Sequence, residues 1–172
     1  MSYIAHLKIV LIGDGGVGKT SIAHRYLRKG FSYEYKQTIG VDVYSKRSVI
    51  NIKDYKITIS WVIWDLAGQP KFREVRKEFY RGAKGAILVF DISRRETFEN
   101  TLNWANEFLH NSGRYPVILV GNKVDLRDQV KDPVSTEEGQ QLSKTLSKIF
   151  NIKVPYIESS ALLRINIDKI FE

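Results

Sequence analysis

The 172-residue chain contains no cysteine, so disulfide bonds and thiolate metal sites are both excluded. Long apolar runs are also missing, since no stretch approaches the roughly 20 residues that a membrane-spanning helix needs. The first residues, MSYIAHLK, lack the charged segment and following apolar segment of a secretory signal. These absences suit a reducing compartment, and we expect a cytoplasmic location.

The composition that remains is ordinary for a globular domain, with 43% hydrophobic and 27% charged residues. The length predicts a single domain over residues 1–172. The formal net charge is +8, and the cations concentrate in residues 25–29 and 71–84. Such stretches could attract nucleic acid or an anionic membrane. Glu74 and Glu78 interrupt the second stretch, however, which favours a solvated helix face.

Short apolar runs alternate with amphipathic segments, a pattern typical of an α/β domain with a mostly parallel sheet. The predicted strands are Leu7–Ile12, Val41–Ile50, Ile57–Trp64, Gly85–Asp91, Pro116–Val120 and Val154–Ile157. The second and third flank a short polar link with no room for a crossover helix, which predicts an antiparallel hairpin at a sheet edge. About five helices are expected, and those that can be delimited are Lys19 to Lys29, Thr97 to His110, Ser135 to Phe150 and a short last one from Asn166 to Glu172.

A glycine-rich stretch directly after the first predicted strand carries the strongest chemical signal. Residues 13–20, GDGGVGKT, match G-x-x-x-x-G-K-[ST] between a strand and a helix, the context in which this pattern binds phosphate. Glycines let backbone N–H groups converge on phosphate oxygens, and a helix N-terminus favours negative charge. Lys19 is predicted to reach the β- and γ-phosphates, and the Thr20 hydroxyl to bind Mg²⁺. The motif alone leaves ATPases, kinases and GTPases open.

A second motif selects the base. Asn122-Lys123-Val124-Asp125 follows the fifth predicted strand, at the carboxyl end where open α/β sheets bind ligands. A carboxylate only accepts hydrogen bonds, so Asp125 can pair with the adjacent N1–H and N2 amino donors of guanine. Adenine has no such donor pair and would leave the carboxylate unsatisfied. The predicted nucleotide is therefore GTP or GDP.

With these motifs in this order, the chain resembles the Ras superfamily of small GTPases, and most closely its Rab branch. Thr38–Asp42 (TIGVD) is similar to the Rab first switch, Trp64–Gln69 (WDLAGQ) to the second switch, and Glu158–Ala161 (ESSA) to the base-contacting loop. The resemblance implies a P-loop NTPase fold whose six-stranded, mostly parallel sheet has one antiparallel edge strand. It also implies hydrolysis of GTP to GDP and a nucleotide-dependent molecular switch, with membrane trafficking as one role.

The resemblance assigns the metal ligands and the catalytic residues. Thr20, Thr38 and Asp65 would bind Mg²⁺, Asp65 through water. Lys19, Thr38 and Gln69 would be catalytic, with Gln69 orienting the attacking water. No residue is identifiable from the sequence as an arginine finger in cis, so we expect slow intrinsic hydrolysis that a partner accelerates.

The same resemblance implies the nucleotide contacts. Phe31 would pack edge-on against the base, and Tyr35 would close over the phosphates. The Gly68 N–H would bond the γ-phosphate, Lys123 would stack along the base, and the Ala161 N–H would meet guanine O6. The full nucleotide-binding set is Gly15, Gly16, Val17, Gly18, Lys19, Thr20, Ser21, Phe31, Tyr35, Thr38, Gly68, Asn122, Lys123, Asp125, Ser160, Ala161 and Leu162.

Several features depart from the family pattern. Pro70 stands where the family usually has glutamate, and proline favours an extended predecessor, which would restrict Gln69. Leu66 replaces the Rab threonine and puts a larger apolar side chain beside Asp65. Leu162 replaces a lysine, so one face of the base would be covered by an aliphatic side chain. The hairpin between the switches is longer than in typical Rabs. These departures keep open an alternative, a GTP-binding interaction module that hydrolyses very slowly or not at all.

Partners follow from the same resemblance. Effectors, an exchange factor and a GAP are expected to bind through Thr38–Asp42 and Gln69–Phe79. We expect a monomer without a nucleic-acid partner, because no recognisable nucleic-acid motif is present. Rab lipid anchors need a C-terminal cysteine, which this chain lacks. We therefore expect either a longer tail, with membrane association, or no lipid anchor.

Overall fold

The computed structural model describes residues 2–28 and 37–172. Phe31, Tyr35 and the predicted end of the first helix at Lys29 lie outside the described residues. Within those two ranges, no helix combines the length and the apolar character needed to cross a bilayer.

Six strands form one sheet in the order β2-β3-β1-β4-β5-β6. Their bounds are β1 Ser2–Ile12, β2 Val41–Ile52, β3 Tyr55–Leu66, β4 Ala86–Asp91, β5 Val117–Asn122 and β6 Tyr156–Glu158. All neighbouring strands are parallel except β2 and β3, which pair antiparallel. The predicted six-stranded sheet with one antiparallel edge strand is confirmed.

The hairpin of β2 and β3 is longer than predicted. Most of the predicted polar link from Asn51 to Lys56 is strand, and only Lys53 and Asp54 form the turn. β1 also begins earlier than predicted, at Ser2, because the long β3 offers a parallel partner as far down as Lys56. Polar residues continue a strand wherever a neighbouring backbone satisfies their N–H and C=O groups.

Six α-helices lie in the described part of the chain: α1 Lys19–Tyr26, α2 Arg73–Phe79, α3 Arg95–Glu99, α4 Thr101–Ser112, α5 Thr136–Phe150 and α6 Ile167–Ile170. Two 3₁₀ helices, Pro70–Phe72 and Val124–Gln129, accompany them. The single helix predicted from Thr97 to His110 is wrong, since α3 and α4 are separate helices that meet at Asn100. The capping box predicted for α5 is present: Glu138 N donates to Ser135 Oγ at 3.1 Å, and Ser135 N donates to Glu138 Oε2 at 2.9 Å.

Two hydrophobic clusters cover the two faces of the sheet. All six residues of β4 are buried, as expected of a central strand. One cluster includes Phe90, Phe108 and Phe150 and joins the sheet to α4 and α5. The other includes Ile22 and Ile63 and joins the sheet to α1 and α6. With both faces covered, the carboxyl ends of the parallel strands are left for the functional site.

A buried arginine on α2 holds the segment before that helix against α4. Arg76 is 3% exposed and lies 4.3 Å from the ring centre of Trp104. Its Nε and Nη2 donate to the two carboxylate oxygens of Glu107 at 3.1 and 3.2 Å. Its Nη1 donates to the carbonyls of Ala67 at 3.1 Å and Gln69 at 3.0 Å. Arg76 therefore holds the backbone at Gln69 in place.

The burial of Arg76 corrects part of the prediction that residues 71–84 form a solvated helix face. Exposed pairs do form there, between Lys77 and Glu74 at 2.8 Å and between Arg81 and Glu78 at 3.9 Å, as expected of a solvated helix face. Arg76 does not belong to that face. Its burial depends on Glu107, a residue far away in sequence.

Replacing Glu107 with alanine should lower the free energy of unfolding by about 3 kcal/mol, because it leaves the Arg76 charge buried without a counter-ion. Urea unfolding followed by circular dichroism measures this change. The control is Glu74→Ala, which removes only an exposed pair and should leave the unfolding midpoint almost unchanged. Similar midpoints for the two variants would contradict the assignment.

Candidate nucleotide site

The glycine-rich loop connects β1 to α1, as predicted. Gly16 and Gly18 have φ angles of 76° and 106°, in the left-handed region that favours glycine. A Cβ on Gly13 would collide with the carbonyl of Val89, and a Cβ on Gly18 would collide with the side chain of Asn122. Only a bare backbone fits, which leaves the loop N–H groups close to any bound anion.

Lys19 folds back onto this loop. The side chain is almost fully buried, and its ammonium donates to the carbonyls of Gly13 at 2.8 Å and Asp14 at 2.9 Å. Burial lowers the pKa of Lys19 to about 8, although Asp65 and Asp14 act in the opposite direction. A phosphate bound by the loop would stabilise the charged form that burial disfavours.

The three predicted metal ligands lie together. The Thr20 hydroxyl donates to Asp65 Oδ2 and lies 3.0 Å from the Thr38 hydroxyl. Asp65 is fully buried, and among the described residues its Oδ1 has no hydrogen-bond partner. Burial raises the pKa of Asp65 to about 6. Hard oxygen donors with one unsatisfied carboxylate oxygen fit Mg²⁺, which prefers oxygen ligands.

The second-switch segment packs directly on the glycine-rich loop. A Cβ on Gly68 would collide with the backbone of residues 13–15, and a Cβ on Gly15 would lie 2.9 Å from Gln69 Nε2. Gln69 has φ −73° and ψ 142°, the extended backbone expected before Pro70. The proline therefore does not keep the Gln69 side chain away from the phosphate loop.

Asn122, the last residue of β5, joins three loops through one buried amide. Its Nδ2 donates to the carbonyl of Val17 at 2.9 Å. Its Oδ1 accepts from the Ser159 hydroxyl at 3.1 Å and from the Ala161 N–H at 3.3 Å. The phosphate loop, the base motif and the loop after β6 are thus held in one arrangement.

The two other polar side chains of the base motif are also held. Lys123 has φ 68°, and its ammonium donates to the carbonyl of Gly16 at 2.8 Å and contacts Asp91 Oδ2 at 2.9 Å. Asp125 Oδ1 accepts from the Ser160 hydroxyl at 2.5 Å. This bond orients the carboxylate that is predicted to read the base.

Leu162 and Ser21 complete the predicted set within the described residues. Leu162 is half-buried, and its carbonyl accepts from Arg25 Nη2 at 2.9 Å, while the carbonyl of Ala161 accepts from Arg25 Nε at 2.8 Å. Ser21 lies in the first turn of α1. Arg25 was predicted only as part of a basic stretch, but it braces the loop after β6.

Sequence reasoning missed two residues of the site, Asp91 and Arg94. Asp91 is 1% exposed, and its Oδ1 accepts from the N–H and the hydroxyl of Ser93 at 2.9 and 2.6 Å. Arg94 Nε donates to Asp91 Oδ2 at 3.3 Å, and Arg94 Nη2 donates to the carbonyl of Gly15 at 2.8 Å. The sequence carried one signal for Asp91: an acidic residue ends an otherwise apolar strand, where a buried carboxylate needs hydrogen-bond partners.

Asn122→Ala should lower the free energy of unfolding by about 2 kcal/mol, because it leaves buried groups of Val17, Ser159 and Ala161 without partners. It should also weaken stabilisation by GDP, since the three loops lose their common link. Thermal unfolding with and without GDP measures both effects. Asn103→Ala is the control, since Asn103 is exposed and, within the described residues, its side-chain amide donates to Asn100. Equal stabilisation of both variants by GDP would contradict this role.

Comparisons with known proteins agree with this geometry. The profile of the Ras family matches residues 8–172. Ras-related protein RABG3f of Arabidopsis thaliana is 37% identical over 171 residues, which cover 96% of this chain and 79% of that protein. Ypt/Rab-type GTPase YPT7 of Saccharomyces cerevisiae is also 37% identical, covering 96% and 78%. Ras-related protein Rab7 of Drosophila melanogaster is 39% identical, covering 96% and 77%.

Proposed function

Because this chain belongs to the Ras family and is a GTPase that binds GTP and GDP with Mg²⁺ and acts as a molecular switch, we propose a role for each part of its site. One observation carries the proposal. Lys19, the oxygen cluster of Thr20, Thr38 and Asp65, and the side chain of Gln69 all converge on a single glycine-rich loop.

The polyphosphate binds to the N–H groups of residues 15–20 and to Lys19. Lys19 already bonds two carbonyls of the loop. The anion therefore binds on the opposite side, toward which the N–H groups point. Thr20, Thr38 and Asp65 hold Mg²⁺, which when bound neutralises charge that develops on the phosphates. Through Thr38, the first switch, Thr38–Asp42, takes part in binding the metal.

Gln69 orients the water that attacks the γ-phosphate. Its amide can accept a hydrogen bond from that water and donate another, which fixes the direction of attack. Phosphoryl transfer needs positioning and charge stabilisation and little covalent chemistry from the protein. Arg76 and Glu107 keep the Gln69 backbone in place during the reaction.

The base is recognised at the other end of the site. Asp125 accepts the N1–H and N2 donors of guanine, and the Ala161 N–H donates to O6. Asn122 holds Ala161, and Ser160 holds Asp125, so both contacts are oriented before the nucleotide binds. Lys123 lies along the base while its ammonium remains at the phosphate loop.

Family members act through effectors, exchange factors and GAPs. We propose that such partners bind this chain at Thr38–Asp42 and Gln69–Phe79. Exposed apolar side chains support this assignment, since Ile39 is 81% and Val75 49% exposed. The similarity to Rab proteins favours a monomeric switch in the cytoplasm that serves membrane trafficking.

Gln69→Leu should slow GTP cleavage roughly tenfold or more, because the attacking water loses its orienting amide. Single-turnover release of phosphate from GTP labelled with ³²P at the γ-position measures the rate. Gln140→Leu, an exposed residue of α5, is the matched control. Equal rates for the wild type and Gln69→Leu would show that Gln69 does not position the water. GTP retained by protein purified without added nucleotide would favour the non-hydrolysing alternative.

Asp125→Asn should lower the affinity for GTP about 100-fold or more, because the N1–H and N2 amino donors then meet an amide that cannot accept both bonds. The variant should bind xanthosine triphosphate instead, whose N1–H and O2 match the amide oxygen and nitrogen of asparagine. Calorimetric titration with both nucleotides and Mg²⁺ measures the exchange. Retained preference for GTP would place base recognition elsewhere.

A further inference from the structure

A tryptophan of α4 connects the glycine-rich loop to the second switch. Trp104 is 4% exposed, and its Nε1 donates to Asp14 Oδ1, in that loop, at 2.7 Å. We propose that Trp104 is a positioning residue for GTP hydrolysis, which sets where the Gln69 backbone lies relative to the phosphate loop. Trp104 can act in this way only if Gln69 orients the attacking water, as proposed above.

The edge of the indole ring holds the phosphate loop. Asp14 Oδ1 also accepts from Nδ2 of Asn100, the residue before α4, at 2.7 Å. Hydrogen bonds to a carboxylate are shorter and stronger than bonds between neutral groups. The carbonyl of Asp14 accepts from the Lys19 ammonium at 2.9 Å. One residue of the loop is thus bonded to α4 through its side chain and to the phosphate-binding lysine through its backbone.

The face of the same ring holds the second switch. The Arg76 guanidinium lies over Trp104, 4.3 Å from the ring centre. The attraction between a cation and an aromatic face is strengthened by burial, and both side chains are buried. Arg76 Nη1 donates to the carbonyls of Ala67 and Gln69 at 3.1 and 3.0 Å. Through Arg76, the indole therefore supports the backbone at Gln69.

A groove beside these contacts shows why they matter for position. A space of about 1080 Å³ lies between the second switch and α4, with Gln69 lining one side and Asn103 the other. The connection across it is made by Arg76 with its two partners on α4, Trp104 and Glu107. Of these three, within the described residues, Trp104 is the one that also bonds the phosphate loop.

A small displacement of Gln69 is expected to cost rate without costing affinity. A misplacement of about 1 Å can slow a reaction about 100-fold when catalysis depends on position. The loop N–H groups, Lys19 and the base motif do not depend on the bond between Trp104 and Asp14. Loss of that bond should therefore leave nucleotide binding intact and move the amide that orients the water.

Single-turnover cleavage at saturating GTP by Trp104→Phe tests this role. Phenylalanine keeps an aromatic ring beneath Arg76 and removes the Nε1 donor. The rate should fall about tenfold, while the affinities for GTP and GDP stay within about twofold of the wild type. Trp61→Phe is the matched control, because it also removes one indole bond, to Ser48 Oγ at 2.8 Å, in the hairpin of β2 and β3. It should cleave at the wild-type rate.

A second variant removes the same bond from the loop side. Asp14→Ala leaves the indole against Arg76 and should also slow cleavage about tenfold. The double variant with Trp104→Phe should be no slower than the slower single variant, because both changes remove one shared bond. Asp14→Asn keeps an oxygen acceptor and should restore most of the rate. Additive losses, a wild-type rate for Trp104→Phe, or equal losses of rate and affinity would overturn the inference.

A Gln69→Leu background shows whether Trp104 acts through Gln69. Adding Trp104→Phe to Gln69→Leu should slow cleavage no further, because no amide is left to position. An equal further loss in that background would overturn the inference. Cleavage at the wild-type rate by Gln69→Leu alone is a different result, since it would remove the role proposed for Gln69 itself.

Discussion

The buried amide of Asn122 is the interaction on which the rest of the site depends. It receives and supplies hydrogen bonds for loops that follow three different strands, β1, β5 and β6. The backbone at Gly18 approaches this amide so closely that a Cβ would collide with it. A residue larger than glycine at Gly18 would therefore displace the Asn122 amide. The loops proposed to bind the phosphates and the base are therefore joined by one set of buried hydrogen bonds, and burial makes the loss of any of them costly.

The phosphate loop is held by cations on its carbonyl side. Lys19 bonds the carbonyls of Gly13 and Asp14, Arg94 bonds that of Gly15, and Lys123 bonds that of Gly16, in each case at 2.8 to 2.9 Å. A peptide unit that directs its C=O toward a cation directs its N–H away. The same contacts that order the loop thus leave N–H donors for an anion and surround it with positive potential.

The two switch segments are held in different ways. The segment at Gly68 and Gln69 is fixed by Arg76, whose guanidinium bonds its carbonyls and is itself held by Glu107. In the proposed first switch, Thr38 is half-buried, and its hydroxyl lies 3.0 Å from that of Thr20, another proposed metal ligand. A bound γ-phosphate and Mg²⁺ can therefore change the environment of Thr38 most directly, which suits a segment that reports the nucleotide state.

The sequence alone determined the α/β class with its antiparallel edge hairpin, the phosphate loop and the base motif. Each of these rests on a few neighbouring residues, where backbone freedom, apolar periodicity and donor–acceptor matching act locally. Only the tertiary structure decided where β1 and β3 end, because their polar ends are strands only where a partner backbone runs beside them. It alone placed Arg76 in the interior and Arg94, 79 positions away in the chain, at Gly15. The sequence does not show which partner a charged side chain will have, because the folded sheet decides which loops lie next to one another.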